Sequence, residues 1–156
     1  MGTNRELFLK EATASEYVGR IVEHQLGPVG IPGYLLAILT HVRDLTPVSP
    51  TEISRISGVP MTTLRDNIQR LVERKLVRRR ANPADGRSYL VVLTPRGRAV
   101  THEAGEALHA AYLALESHLR RPREEYERML EELNDSLELA LADLLEAGAA
   151  VEARAG

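Results

Sequence analysis

The sequence of 156 residues contains no cysteine and no tryptophan, and aromatic residues account for only 4% of it. Without cysteine the chain can form neither disulfides nor thiolate metal sites, and thiol-based redox sensing is excluded. A core with few aromatic rings must be built from Leu, Val, Ile and Ala, which suits packed helices better than a β-sandwich. The composition therefore predicts a mainly helical protein and fits a reducing compartment.

Long apolar runs and enzyme motifs are also missing. No stretch approaches the roughly 20 continuous apolar residues that a membrane span needs, and residues 1–6 lack the layout of a secretory signal. The chain has no Gly-rich phosphate loop, no His-Glu-x-x-His and no nucleophile elbow. We therefore expect a cytoplasmic protein that has no membrane association, no cofactor and no enzymatic activity.

The two signs of charge are separated along the sequence, although the net charge is only −2. Residues 65–98 contain ten Lys and Arg against three Asp and Glu, a local balance of +7. Residues 116–146 contain ten acids against four Arg, a local balance of −6. Because phosphate binding responds to the local field rather than to the total charge, the basic segment is a candidate site for a polyanion.

Helical periodicity dominates the chain and is interrupted by two extended segments. Apolar residues at spacings of three and four predict helices over residues 6–25, 33–44, 50–57, 61–74, 95–120 and 123–147. Ser49 and Pro50 form a start signal for the third of these helices, and Gly58 ends it. Branched residues predict strands over 76–80 and 89–93, joined by a turn over 82–87 that contains the hairpin signal Asp85-Gly86.

Two short helices joined by a Gly turn form a helix-turn-helix, and a hairpin directly behind it forms a wing. We therefore predict a mostly α protein with a small β wing, made of a winged helix-turn-helix lobe and a helical dimerisation lobe. The expected parts are N-terminal helices over 1–45, the winged helix-turn-helix over 46–95, C-terminal dimerisation helices over 96–147 and a flexible tail over 148–156. The N-terminal helices contribute to both lobes.

The helix over 61–74 is expected to enter the major groove of duplex DNA, which admits one α-helix. Its face opposite Leu64 and Ile68 presents short polar and Arg side chains, of the types that contact bases or phosphates. The candidates on this face and its flanks are Thr62, Thr63, Arg65, Asp66, Asn67 and Arg70.

The wing is expected to add a second contact to DNA. Arg87 lies at the hairpin tip, where a narrow minor groove attracts Arg, and Asp85 is expected to pair with Arg87 or another Arg and fix its rotamer. The candidate set in the wing is Arg78, Asp85, Gly86 and Arg87. A basic hairpin can equally be a solvated edge strand. The alternative function is therefore a dimeric winged-helix module that binds proteins and not DNA.

At these residues the sequence resembles the MarR family of multiple antibiotic resistance regulators. The resemblance extends over about residues 17–145 and is carried by Leu71-Val72-Glu73-Arg74-Lys75-Leu76-Val77, by Asp85-Gly86-Arg87 and by Leu93-Thr94-Pro95-Arg96-Gly97-Arg98. It implies a homodimer that binds double-stranded, pseudo-palindromic operator DNA. It also implies sequence-specific regulation of transcription by a repressor that a small-molecule effector releases.

Two positions depart from the family pattern. Lys75 stands where the family has Gly at the end of the recognition helix, and a non-Gly residue in a left-handed position costs about 1 kcal/mol. We therefore expect this helix end to close differently. Gly86 replaces the middle Arg of the wing tip, which predicts the loss of one phosphate contact while Arg87 stays in place.

The last predicted helix carries a leucine seam over residues 130–144 that favours a dimer interface, although the same seam can pack on the chain's own long helix. In the family, a small phenolic or anionic effector binds where the dimerisation helices meet the DNA-binding lobe. The resemblance assigns this region to Tyr17, Arg20, His24, Tyr34 and His41. These side chains can equally be ordinary surface residues.

One further group on the long helix has metal-ligand chemistry. His102, Glu106 and His109 lie on one stripe, and zinc favours such nitrogen and oxygen ligands. Because no Cys or neighbouring His completes the set, solvated side chains explain the stripe better, and we expect no metal site.

Overall fold

A computed structural model of the chain describes residues 5–155, and its described part contains six α-helices and one two-stranded antiparallel sheet. In chain order these are α1 (Arg5–Leu26), α2 (Gly33–Leu45), α3 (Pro50–Ser57), α4 (Met61–Glu73), β1 (Val77–Ala81), β2 (Tyr89–Leu93), α5 (Pro95–His118) and α6 (Arg123–Ala155). The predicted class, mostly α with a small β wing, is confirmed. Within the described range every helix is too short or too polar to cross a membrane.

The chain divides into two compact units, and the boundary falls after Leu113, inside α5. In the first unit, α2 lies at the centre of the core because one face of it is continuously apolar. Leu35, Leu39 and Val42 are buried on this face and belong to one cluster with side chains of α3, α4 and the sheet. Burial of each such side chain stabilises the fold by about 1.5–3 kcal/mol.

The helix-turn-helix is built from α3 and α4, and its first helix begins and ends as predicted. Ser49 Oγ accepts a hydrogen bond from the backbone N–H of Glu52 at 3.2 Å, and Pro50 occupies the first turn. Gly58 closes α3 with a left-handed φ of 67°. Ser54 Oγ then donates to the carbonyl of Val59 at 2.7 Å, which ties the turn to α3.

The end of α4 closes in the usual way for a glycine-terminated helix, although Lys75 occupies the glycine position. Lys75 has a φ of 60°, in the left-handed region. Its backbone N–H donates to Val72 at 2.8 Å, and the N–H of Leu76 donates to Leu71 at 2.9 Å. These two bonds form a Schellman motif. The expectation that this helix end closes differently is therefore wrong, because the bonds and the burial of Leu71 and Leu76 impose the strained conformation.

We expect Lys75→Gly to raise the free energy of unfolding by about 1 kcal/mol, because glycine adopts a positive φ without the steric cost borne by lysine. Chemical denaturation with the midpoint and slope fitted separately measures this change. Lys75→Ala is the control, since it removes the charge but keeps the Cβ. A gain in Lys75→Ala equal to that of the glycine variant would assign the effect to charge instead of backbone strain.

The two strands form a short ribbon that is tied to the helix-turn-helix. They pair antiparallel in a register that runs from Val77 opposite Leu93 to Ala81 opposite Tyr89. The backbone of Val48, in the segment between α2 and α3, extends this pairing through N–H···O bonds of 2.8 and 3.3 Å with Val91. The base of the wing is thus fixed to the same segment that begins α3.

One compact junction joins the end of α4, both strands and the start of α5. Thr94 Oγ1 donates to the carbonyl oxygens of Lys75 and Leu76 at 2.7 and 3.1 Å, and the Thr94 N–H also donates to Leu76 at 3.0 Å. The same hydroxyl accepts from the N–H of Gly97 at 2.9 Å, so it caps α5. Gly97 is buried against the Leu76 carbonyl, where a Cβ would overlap the oxygen. The Thr and Gly of the run Leu93-Thr94-Pro95-Arg96-Gly97 are therefore explained by the cap and the close packing at this junction.

We expect Gly97→Ala to lower the free energy of unfolding by about 3 kcal/mol, because the new methyl group must displace the Leu76 backbone. Gly105→Ala on the same helix is the matched control, since a Cβ there meets nothing within 4 Å. Loss of a flexible glycine from a helix should make that control up to about 1 kcal/mol more stable. Thermal unfolding of both variants checks the pair, and equal stabilities would refute the close approach at Gly97.

The second unit is dominated by α6, which is longer than predicted. The sequence analysis ended this helix at residue 147 and assigned 148–156 to a flexible tail, but α6 continues as far as Ala155. The difference arises because alanine is the strongest helix former and predominates after Gly148, whose cost of about 1 kcal/mol is not enough to end the helix. Gly156 lies outside the described residues.

Candidate nucleic-acid interface

The outer face of α4 is polar and exposed. Leu64, Ile68 and Leu71 anchor the opposite side of this helix in the core. The exposed side chains that were predicted from the sequence are Thr62, Thr63, Arg65, Asp66 and Arg70. Helical spacing places Thr62 and Asp66 at the centre of the exposed face and sets Arg65 and Arg70 on its two flanks.

Asn67 departs from the predicted arrangement. Its relative exposure is 6%, so it is one of the buried positions of α4 and cannot be presented to a base from the outer face. The expectation that it lies on an accessible flank is wrong, because a turn of 100° per residue places it next to Leu71 at the edge of the inner side. The short polar side chain instead lines a cavity beside α2.

A cleft of about 320 Å³ separates α4 from the wing on the Arg65 side. Hydroxyl groups at the start of α3 form one wall, and the wing loop forms the other. Its lining includes Ser49, Thr51, Arg65, Asp85, Arg87 and Tyr89. The cleft therefore brings two guanidinium-bearing residues and several hydroxyl-bearing residues to one surface, a combination suited to phosphate oxygens.

The wing loop, residues 82–88, is ordered by its own polar groups. The Asp85 carboxylate accepts the backbone N–H of Arg87 at 3.0 Å, and the Ser88 N–H donates to the Asp85 carbonyl at 3.0 Å. Asn82 Nδ2 also donates to Ser88 Oγ at 2.8 Å and closes the loop. The expectation that Asp85 pairs with an Arg side chain is wrong. Its carboxylate instead accepts a backbone N–H and forms an Asx turn. The Arg87 side chain remains exposed.

Gly86 does not adopt the positive φ that a tight Asp-Gly hairpin turn requires. Its φ lies outside the left-handed region, and the loop is longer than a tight two-residue turn. A Cβ at Gly86 would meet nothing within 4 Å. The position is therefore open to larger side chains.

The strand β1 directs its arginines to two faces. Arg79 Nη2 donates to Gln69 Oε1 of α4 at 2.9 Å, and its guanidinium carbon lies 4.8 Å from the centre of the Tyr89 ring. Alternation along the strand places Arg78 and Arg80 on the other face, where both are exposed. Gln69, Arg79 and Tyr89 were not among the predicted residues. The alternation itself could have separated Arg79 from its neighbours.

The opposite flank of α4 faces α2 across a second cavity, of about 560 Å³. Arg70 Nη1 donates to the hydroxyl of Tyr34 at 3.0 Å across the mouth of this cavity. Tyr34 and His41 both contribute to its lining. Arg70 is thus held on the side of the exposed face of α4 that lies next to α2.

The residues predicted for an effector site are only partly brought together. Tyr34 and His41 line the same cavity, whereas Tyr17, Arg20 and His24 are exposed along α1 and do not contribute to it. Sequence spacing could not distinguish these two sets, because α1 and α2 present polar residues with the same helical period.

The charged and metal-ligating groups outside these clefts lie at the surface. Arg43 lies 2.7 Å from Asp44 at the end of α2, and this hydrogen bond lowers the pKa of the Asp44 carboxyl. His102, Glu106 and His109 are exposed on α5. Between residues 5 and 155, no group of three or more His, Cys, Asp or Glu side chains is placed to hold a metal ion.

A helix-turn-helix followed directly by a two-stranded wing defines this chain as a winged helix-turn-helix protein. Residues 32–88, from the start of α2 to the wing loop, match the family model described as MarR family. Over this range the chain is similar to the MarR family.

Curated relatives point to the same similarity. The multiple antibiotic resistance protein MarR of Escherichia coli (strain K12) is 30% identical over 94 residues, which cover 58% of this chain and 65% of that protein. The chain thus spans less than two thirds of the length of the MarR relatives that it matches. The HTH-type transcriptional repressor Rv2887 of Mycobacterium tuberculosis is 29% identical over 113 residues, or 72% of this chain and 81% of that protein.

Solved structures show the same fold at lower identity. A mutant of Escherichia coli MarR complexed with operator DNA is 23% identical, covers 88% of this chain and 99% of its own, and superimposes with a TM-score of 0.74. The transcriptional regulator MOSR of M. tuberculosis, in complex with DNA, is also 23% identical, with coverages of 85% and 96% and a TM-score of 0.75.

Proposed function

We propose that this protein is a sequence-specific regulator that binds double-stranded DNA, acting as a transcriptional repressor. The observation that carries the proposal is the exposed polar face of α4, flanked by Arg65 and Arg70 and set beside an arginine-bearing wing. A single α-helix with such a face fits the major groove, where Thr, Asp and Arg side chains distinguish base edges. Structural neighbours solved in complex with DNA, one of them with operator DNA, lend support.

The two parts of the surface are assigned different tasks. Thr62 and Asp66, at the centre of the face, contact base edges, with Arg65 on one flank and Arg70 and Thr63 on the other. Phosphates of the adjoining backbone occupy the cleft beside the wing, where the Ser49 and Thr51 hydroxyls and the Arg65 guanidinium donate.

In the wing, Arg87 enters the neighbouring minor groove, since its side chain is exposed at the tip and its backbone is fixed by Asp85. Arg78 remains a backbone contact in this proposal. Arg79 joins it as a residue that orients Gln69 of α4 towards the duplex.

Two copies of the chain are proposed to bind one pseudo-palindromic operator. Large apolar side chains are exposed on both the first and the last helices, including Phe8, Val18, Leu130, Leu141 and Leu144 at 57–71% relative exposure. Exposed apolar surface of this extent favours a subunit interface. Two-fold symmetry then sets two recognition helices about 34–36 Å apart, one turn of DNA.

Release by a small molecule is the proposed regulation. The structure of Bordetella bronchiseptica BpsR, whose DNA binding is described as regulated by 6-hydroxynicotinic acid, superimposes with a TM-score of 0.71 at 22% identity over 87% of this chain and 96% of that one. A phenolic or anionic compound is the corresponding effector class here, with Tyr34 and His41 as its contacts. We further infer a cytoplasmic protein without enzymatic activity, in keeping with a relative named as a transcriptional repressor.

We expect Arg87→Ala to weaken binding to an operator selected from a random duplex pool by about tenfold or more at moderate salt. Because a dimer loses two phosphate-proximal charges, the slope of log K against log salt should become shallower by about 2. Fluorescence anisotropy at several salt concentrations measures both quantities. Arg120→Ala removes the same charge from an exposed position beyond α5 and is expected to leave the slope unchanged. If both variants keep the wild-type affinity and slope, the protein-interaction module becomes the better hypothesis.

We expect Gly86→Arg to strengthen operator binding by about threefold to tenfold, because it adds a cation at an open position of the wing tip. Unfolding should be unchanged within about 0.5 kcal/mol, as for surface substitutions that break no special backbone conformation. Gly86→Gln serves as the neutral control. An affinity equal to that of the wild type would place the wing tip away from the duplex.

A further inference from the structure

The outer face of α4 carries an acidic side chain at the position where a polyanion is expected to bind. We propose that the Asp66 carboxylate selects one cytosine in each half-site of the operator, by accepting a hydrogen bond from the exocyclic amino group of that base. This inference rests on the DNA-binding function proposed above, and it names a base that the recognition helix distinguishes.

Asp66 is held at the centre of the outer face by the packing of the opposite side of α4. Leu64, Ile68 and Leu71 are fully buried, so the rotation of the helix about its axis is fixed. At 100° per residue, Asp66 then points nearly opposite to Leu64, and its side chain is exposed. Such a short side chain, centred on a helix in the major groove, meets base edges and not the phosphates at the rim.

The Asp66 carboxylate also lacks a partner within the protein. Residues 65–98 contain three acids, and the other two are bonded. Glu73 accepts from Gln69 Nε2 at 3.0 Å, and Asp85 accepts a backbone N–H of the wing loop at 3.0 Å. Within residues 5–155, by contrast, Asp66 accepts no hydrogen bond and forms no ion pair with any described side chain.

The neighbouring arginines leave this charge uncompensated. Arg70 follows Asp66 by four residues, a spacing suited to an ion pair, but it donates to the Tyr34 hydroxyl at 3.0 Å. Arg65 lines the cleft beside the wing. An unpaired carboxylate that approaches two rows of phosphates loses water and is repelled. The position is therefore compatible with tight binding only where the DNA supplies a hydrogen-bond donor.

The chemistry of the base edges narrows this donor to cytosine. A carboxylate only accepts hydrogen bonds, and in the major groove the amino groups of cytosine and adenine are the donors. Guanine and thymine present acceptor oxygens, which repel a carboxylate. Adenine places its N7 acceptor beside the amino group, whereas cytosine has a C–H there. Cytosine is thus the base that offers Asp66 a donor without an adjacent acceptor.

Two-fold symmetry doubles the effect of this contact. Each subunit of the proposed dimer meets one cytosine, and the two cytosines lie on opposite strands at symmetric positions. A wrong base pair at such a position should weaken binding by about tenfold. Because the two half-sites are well separated, the same change in both should weaken binding by about a hundredfold.

The first test compares base preferences. The wild-type protein selects an operator from a random duplex pool, and fluorescence anisotropy then measures all four base pairs at each symmetric position. At one position cytosine should be preferred by about tenfold in each half-site. Asp66→Asn should transfer the preference there to adenine, since an amide accepts from N6 and donates to N7. Thr62→Ala, one turn earlier on the same face, is the matched control and should keep the cytosine preference.

The second test removes the proposed hydrogen bond from the DNA. N4-methylcytosine still pairs with guanine, but its methyl group replaces the amino hydrogen that faces the major groove. At the assigned position it should weaken wild-type binding about tenfold in each half-site. Asp66→Ala should bind the methylated and unmethylated duplexes equally, within about twofold, because it has no acceptor to lose. Its affinity for unrelated duplexes should rise about threefold, as the phosphates no longer repel a carboxylate.

Three results would overturn the proposal while DNA binding stands. They are an unchanged base preference in Asp66→Asn at every position, a wild-type protein indifferent to N4-methylation of every cytosine, and an equal loss of affinity for all duplexes in Asp66→Ala. The last result would make Asp66 a residue that supports the helix. If the wild-type protein selects no duplex at low salt, the DNA-binding function itself fails, and the cytosine contact fails with it.

Discussion

The hydroxyl of Thr94 is the contact on which the geometry of the recognition surface depends. It joins the carbonyls of Lys75 and Leu76, just after α4, to the N–H of Gly97 in the first turn of α5, and the absence of a side chain at Gly97 allows the approach. Because β1 and β2 start and end at the same junction, the orientation of the wing relative to α4 is set there. The bond between Arg79 and Gln69 orients two side chains, but the backbones of the wing and α4 are already positioned by this junction.

Backbone strain at this junction falls on Lys75, where the surrounding contacts compensate for it. Lys75 keeps a left-handed φ of 60° because two backbone bonds and the burial of Leu71 and Leu76 together outweigh a steric cost of about 1 kcal/mol. The wing loop contrasts with this position. It is ordered by Asn82, Asp85 and Ser88 without a positive φ at Gly86, so its conformation depends on side-chain hydrogen bonds.

The helices and strands could be predicted from the sequence because the features that begin and end them are local. The elements were predictable because caps, glycine turns and apolar periods act within a few residues, as at Ser49 and Gly58. Two predictions failed for local reasons: the helical angle of Asn67 buries it, and the Asp85 carboxylate accepts the N–H of Arg87 instead of pairing with an Arg side chain. The bond between Arg79 and Gln69 was missed for another reason, because it joins two elements of the fold. Strand alternation separates Arg79 from Arg78 and Arg80, but it does not identify the partner on α4.

The contacts around α4 differ in strength, so the position of the wing is fixed more firmly than the position of the Arg70 side chain. The Thr94 hydroxyl makes three hydrogen bonds at a partly buried junction, and breaking it leaves polar groups with no replacement, at about 1–3 kcal/mol for each group. The Arg70–Tyr34 bond is exposed, and water compensates for its loss. The Arg70 side chain can therefore change its position at a lower cost in free energy than the wing can change its angle, because the first depends on one exposed bond and the second on the Thr94 junction.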